Sequence, residues 1–247
     1  MNEEYVSDIY DAQTENGDWI RVYECGGAWQ SAVYLDEDRQ NELVFPYMRR
    51  FNHAFAMNGN IRDILMIGGA GYVWPASVCL SHPSVHIDVA DIDPDAYQAA
   101  REWFFLPETD NITPIVSDGR KYLEQTEKQY DLIVDDAFIG KDPVYSLHTA
   151  EALGIVFHRL SECGIYCANL PGRSGIQDSV FLQDAYRTAC QVFPYVIVTE
   201  AYSPLSESDT INYVMFAAKV PIRTDDMIRM DDQAGKVLRD SQGRTGE

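Results

Sequence analysis

Bulky apolar and polar residues alternate over residues 18–25 and 29–36, two runs rich in Val, Tyr and Trp, with turn-forming pairs at Asn16-Gly17 and Gly26-Gly27. Alternation with a period of two predicts strands buried on one face. Residues 1–40 therefore read as a small N-terminal β-hairpin appendage. From Asn41 to Met57 the bulky residues recur at helical spacing, and Pro46 marks either a first turn or a break.

Beyond this point short apolar runs alternate with amphipathic stretches. Strands are predicted at 63–69, 86–93, 112–116, 130–137 and 164–170, and helices begin near Trp74, Pro94, Gly119, Ser146 and Gln177. Two further runs, 195–202 and 211–219, flank a polar loop and read as a closing antiparallel hairpin. The pattern predicts an α/β fold with a mostly parallel seven-stranded sheet, helices on both faces and ligands at the carboxyl ends of the strands. Residues 41–222 form this nucleoside-binding domain, and 223–247 is expected to be a polar C-terminal tail with a frayed end.

Composition narrows the function classes. The 247 residues are 46% hydrophobic, enough for a substantial core, and 19 basic against 39 acidic residues give a net charge of −20. A field of that sign repels phosphate backbones and anionic membranes, so neither nucleic acid nor a membrane is expected as partner, and cationic or neutral small molecules are favoured. Five cysteines without a CxxC pair, and an N-terminal stretch with neither a basic start nor an apolar run, predict reduced thiols in a soluble cytoplasmic protein. The five histidines show no metal-ligand spacing, so no metal is expected.

The candidate chemistry lies at the predicted strand ends. The first core strand runs into Gly68-Gly69-Ala70-Gly71, where small residues let backbone amides approach a ligand, although a tight strand-to-helix turn alone calls for glycine. Asp91 ends the second strand, twenty residues beyond Gly71, where a carboxylate can accept both ribose hydroxyls. Asp93, two residues on, is expected to cap the helix from Pro94 and leave Asp91 free. Asp118-Gly119 follows the third strand, suited to an adenine amino group or to a helix cap. Asp135 and Asp136 follow the fourth; adjacent side chains on a strand point to opposite faces, so one faces the pocket and the other is expected to be a surface or capping acid. Tyr72, Trp74, Phe104 and Phe105 are expected in the core rather than in the pocket. Ser174-Gly175 is not a nucleophile elbow, because GxSxG is absent.

In this order the segments IGGAG (67–71), DIDP (91–94), SDGRKYL (117–123), YDLIVDDAF (130–138) and SLHTAEAL (146–153) resemble the spermidine synthase group. These are aminopropyltransferases built on the Rossmann-like class I S-adenosylmethionine-dependent methyltransferase fold, and the resemblance covers about residues 28–218. It implies that Gln30 reaches the nucleoside and that Gly68, Gly69, Ala70 and Gly71 form the Gly-rich loop. It further implies that Asp91 and Ile92 lie at the ribose, that Asp118 and Gly119 meet the adenine, and that Asp136 is the catalytic base. The co-substrate implied is S-adenosylmethionine or its decarboxylated form, the partner a small amine or other small acceptor, and the assembly a homodimer.

The departures from the family pattern concern the amine half of the site. The family's donor-amine aspartate falls on Gly71, a second amine-binding acid falls on Ile139, and a tyrosine-containing pair falls, without gaps, on Phe45 and Pro46. The surplus acid is therefore expected away from the pocket. Aminopropyl transfer to an amine with Asp136 as base is the leading reading. Methyl transfer to a small molecule is the second, since Gly71 is expected to make room for a donor carboxylate, and a non-catalytic nucleoside-binding homologue is the third.

Overall fold

The computed structural model describes residues 7–173, 179–201 and 210–242. Ser174-Gly175, most of the loop between the last two predicted strands and the last five residues lie outside them.

A three-stranded antiparallel meander opens the chain: β1 (Ser7–Gln13), β2 (Trp19–Cys25) and β3 (Ala28–Tyr34). It contains both strands read from the alternating pattern and one more. The helical stretch that follows is broken into α1 (Pro46–Phe51), with Pro46 in the first turn where its missing N–H costs no hydrogen bond, and α2 (His53–Met57).

The main domain runs β4 (Asp63–Ile67), α3 (Val73–Ser81), β5 (His86–Asp91), α4 (Ala96–Trp103), β6 (Ile112–Val116), α5 (Gly119–Gln125) and β7 (Tyr130–Asp135). A small hairpin of β8 (Phe138–Ile139) and β9 (Asp142–Pro143) follows, then α6 (Ala150–Arg159), β10 (Leu160–Arg173), α7 (Val180–Val192), β11 (Tyr195–Ala201), β12 (Thr210–Ala218) and β13 (Met227–Ile228). Sheet order is β13-β11-β12-β10-β7-β4-β5-β6. β10, β7, β4, β5 and β6 are parallel, and β12 is antiparallel to both β10 and β11. The seven predicted strands are present in a Rossmann-like arrangement, with β13 added at the edge.

Both faces of the sheet are buried, which is why its strands read as nearly unbroken apolar runs. Side chains alternate between two cores: Ile64, Met66, Leu132 and Val134 face one, with Trp74 and Phe104, and Leu65, Ile67 and Ile133 face the other, with Leu153 and Leu182. Tyr23 and Val33 of the meander pack into the first core, so the appendage is part of the wall above the strand ends.

Residues 223–242 are tied to the main domain. β13 pairs with β11, and Leu238 is buried, with its carbonyl accepting the Ala150 amide. Asp240 accepts hydrogen bonds from Thr149 at 2.6 Å and from Arg120 at 3.2 Å. Apolar anchors spaced along a polar segment hold it across the helices, and average polarity conceals them.

Candidate functional site

A cavity of 1430 Å³ opens at the carboxyl ends of β4, β5, β6, β7 and β10. The meander, α1 and the β8–β9 hairpin complete its walls. Gln30, Gly68, Gly69, Ala70, Asp91, Ile92, Asp118, Gly119 and Asp136 all line it.

The loop after β4 is held in a narrow set of conformations. Gly68 has a φ of +86°, and a Cβ there would lie 2.4 Å from the Asp136 carbonyl oxygen, so only glycine fits. Ala70 and Tyr72 also take positive φ, at 40° and 54°, conformations that cost non-glycine residues energy and persist only where the surroundings impose them. Asp91 supplies that constraint. Its Oδ2 accepts the Gly69 amide at 2.6 Å and the Ala70 amide at 3.0 Å, and its Oδ1 accepts the Asp93 amide at 2.9 Å. Asp91 is thus not free, as the sequence suggested. Both lone pairs of Oδ2 are taken, and Oδ1 keeps one further lone pair, which is what Asp91 can offer a hydroxyl.

Asp93 does not cap α4, whose N-cap residue is Asp95. Its Oδ1 instead accepts the Asp95 amide at 2.9 Å, and its Oδ2 accepts the Tyr23 hydroxyl at 2.8 Å, tying the meander to the end of β5. Asp118 is the cap of α5, accepting the Lys121 amide at 2.8 Å. A Cβ on Gly119 would fall 2.1 Å from the Ile67 side chain, so this glycine lets α5 close onto β4. Gln30 donates to the Gly140 carbonyl at 2.8 Å, joining the meander to the β8–β9 hairpin.

Gly71 does not line the cavity, and it does not make room there. A Cβ at this position would meet Ser31 at 2.9 Å and Phe104 at 3.0 Å, and the Gly71 amide donates to the Ser31 hydroxyl at 3.1 Å. The space a side chain would need here is filled by Ser31 and Phe104. Tyr72, Trp74 and Phe104 are buried in the core, and Phe105 is exposed outside the cavity.

Asp135 and Asp136 leave β7 on opposite faces, but Asp135 is not the surface acid expected of it. It is 2% exposed, accepts the Tyr166 hydroxyl at 2.8 Å and lies 3.8 Å from His148 Nε2. Burial pushes the Asp135 carboxyl up and the His148 imidazole down in pKa. Alternation along β7 puts Asp135 on the face of Ile133, and the second core packed there encloses it.

Asp136 stands on the cavity floor. Its Oδ1 accepts Asn169 Nδ2 at 2.8 Å, and the Tyr47 hydroxyl interacts with the same carboxylate. Asn169 is oriented in turn by Asn212, whose Nδ2 donates to Asn169 Oδ1 at 2.8 Å. Desolvation first, then the negative charge of Asp135, raise the Asp136 pKa to about 8, against the lowering effect of its two donors. Tyr47, Asn169 and Asn212 were not found in the sequence. A polar residue inside an otherwise apolar strand, as at Asn169 in β10 and Asn212 in β12, was the available signal.

Among the described residues Glu15, Asp91, Asp93, Asp95, Asp118 and Asp136 line the cavity, against a single cation, Lys141. Most of this acid is on the β5–β6 side, away from Asp136 and the β8–β9 hairpin. Among the described residues no group of three metal-ligating side chains is found, and no helix is long and apolar enough to cross a membrane.

Residues 45–226 match the family model of the spermine/spermidine synthase domain. The chain belongs to this family. It is 30% identical over 152 residues to a polyamine aminopropyltransferase of Vibrio vulnificus, covering 60% of this chain and 50% of that one. The chain spans about half the length of such curated synthase relatives. A probable spermidine synthase from Corynebacterium glutamicum superposes with a TM-score of 0.78 at 18% identity, over 95% of this chain and 93% of the other. Human methyltransferase-like protein 13, in complex with SAH, superposes with a TM-score of 0.53 at 20% identity over 76% of this chain and 83% of the other. The synthase fold is thus shared with methyltransferases, and the chemistry has to be argued from the site.

Proposed function

We propose that this spermidine synthase homologue transfers an aminopropyl group from decarboxylated S-adenosylmethionine to a small amine. The observation that carries the reading is Asp136: a carboxylate on the cavity floor, aimed by Asn169 and Tyr47, with a pKa raised to about 8. The adenosine would lie across the ends of β4, β5 and β6, with Asp91 and the Gly69 and Ala70 backbone at the ribose and Asp118 and Gly119 at the base. Its sulfonium would then sit beside the loop, facing Asp136.

In the reaction the bound ammonium first passes a proton to the ionised Asp136, and the neutral nitrogen then attacks the methylene carbon bound to sulfur. The new N–C bond forms as the C–S bond breaks, its electron pair stays on sulfur as a neutral thioether, and the product leaves as a secondary ammonium. In the empty cavity at neutral pH Asp136 holds a proton. Two cationic reactants nearby favour its ionised form, so binding generates the base. An aliphatic amine has a pKa of about 10.4. A carboxylate that burial holds above its ordinary range accepts that proton at less uphill cost than an exposed aspartate would. The protein's remaining contribution is alignment of the two reactants.

Calorimetric titration with S-adenosylmethionine, its decarboxylated form and methylthioadenosine, followed by product mass with amines, tests the reading. Preference for the decarboxylated donor and an aminopropyl adduct are expected, and transfer of a methyl group instead would overturn it. Asp136→Asn should keep nucleoside binding and lose about 10²- to 10⁴-fold in turnover. An unchanged rate would remove Asp136 from the role of base.

A further inference from the structure

The cavity places its carboxylates unevenly relative to the reacting centre. Neighbouring strands lie about 4.8 Å apart, so Asp91, at the end of β5 and two strands from β7, is about 10 Å from Asp136, and Asp118, after β6, is about 14 Å away. Both belong to the part of the cavity that the nucleoside would fill. Asp93 and Asp95 follow β5 on that same side. Glu15 sits in the turn between β1 and β2, at the far end of β2 from the Gly26-Gly27 turn. A strand of that length spans about 20 Å.

The opposite arm, between β7, β10 and α1, is built differently. Asp136 is its one carboxylate among the described residues lining the cavity, surrounded by the neutral Tyr47, Asn169 and Asn212. The outer wall is the β8–β9 hairpin, which packs against the β2–β3 turn: a Cβ on Gly26 would lie 3.0 Å from the Gly140 Cα. Ile139, half exposed, and Phe138 face the cavity from this hairpin, with Phe45 from the α1 side. Lys141 lies on the same hairpin and has no ion-pair partner among the described residues; Asp142 lies outside the cavity wall. A second ammonium on the acceptor would lie against apolar side chains and a lysine, with no carboxylate besides Asp136 among the described residues lining this arm to compensate.

We infer that the acceptor is a monoamine whose far end is uncharged, rather than a diamine: its nitrogen meets Asp136, and its apolar tail lies along Phe45, Phe138 and Ile139. This rests on the aminopropyl-transfer reading, and it narrows the substrate class of the same site. Lys141 and Ile139 are then specificity-determining residues, which repel or fail to solvate a distal cation.

The test compares pentylamine with diaminobutane, near-isosteres that differ in the terminal group, using decarboxylated S-adenosylmethionine and product mass. Pentylamine is expected to have a kcat/KM at least about tenfold higher, the scale of one charge-assisted contact. Equal or faster turnover of diaminobutane would overturn the inference and leave aminopropyl transfer standing. Product from neither amine, with the donor bound in calorimetry, would overturn aminopropyl transfer itself. Ile139→Asp supplies a carboxylate at the outer wall and should shift the ratio towards diaminobutane by about tenfold or more. An unchanged ratio in a variant that still turns over pentylamine would remove Ile139 from the acceptor's far end.

Discussion

Asp136 yields a prediction that needs neither substrate nor turnover. Its pKa is about 8 in the folded chain, against an ordinary value of 3.8. The folded state therefore binds this proton more tightly than the unfolded state does. The associated stability is fully present below about pH 4, declines as pH rises, and is gone above about pH 8. At about 1.4 kcal/mol per pH unit, burying the ionised form costs at most roughly 6 kcal/mol. Because one side of the carboxylate meets the cavity and its water, about 2 to 4 kcal/mol is the expected effect between pH 5 and pH 9. Asp136→Asn removes the charge but keeps an oxygen to accept from Asn169, so it should unfold at a similar temperature to the parent at pH 5. At pH 9 it should be more stable by about 5 to 15 °C, taking about 2 to 4 °C per kcal/mol for a chain of this size. Thermal unfolding of both proteins across that range is the assay. A difference in melting temperature that stays constant with pH would refute a raised Asp136 pKa, and with it the account of why this acid can serve as a base.

Gly68→Ala forces a Cβ against the Asp136 carbonyl at a positive φ, and should cost about 2 kcal/mol or more in denaturant unfolding and abolish methylthioadenosine binding. Asn169→Leu removes a donor that favours the charged form of Asp136, so the alkaline midpoint of Asp136, followed by carboxyl NMR titration, should move up from about 8; movement downward would contradict the assigned hydrogen bond. Tyr166→Phe leaves Asp135 without its closest donor and should destabilise the fold by about 1 to 3 kcal/mol while leaving nucleoside binding within about twofold. Arg120→Ala cuts the link from α5 to Asp240, and limited proteolysis should then cleave within residues 223–242 faster than in the parent.

The alternation of short apolar runs with amphipathic stretches was enough to determine the order of strands and helices and the ends at which a ligand would be met. Each βαβ unit writes its period and its turn locally, as in Ile67 to Gly71 or Val116 to Gly119. The same locality explains why most candidate residues, from Gln30 to Asp136, lie around one cavity: parallel strands bring all their carboxyl ends to one edge of the sheet.

What only the tertiary structure decided is where each acid spends its lone pairs and which side chains meet across elements distant in the chain. Asp91 braces the loop, Asp118 caps a helix, Asp135 turns into the second core, and Asp136 keeps the cavity floor, yet as letters the four are alike. Their differences arise from partners such as Tyr166, Asn169 and Tyr47, brought in from other strands and helices, and from the burial those partners impose. A carboxylate's proton affinity is a property of its surroundings, and those surroundings exist only once the chain has closed around them.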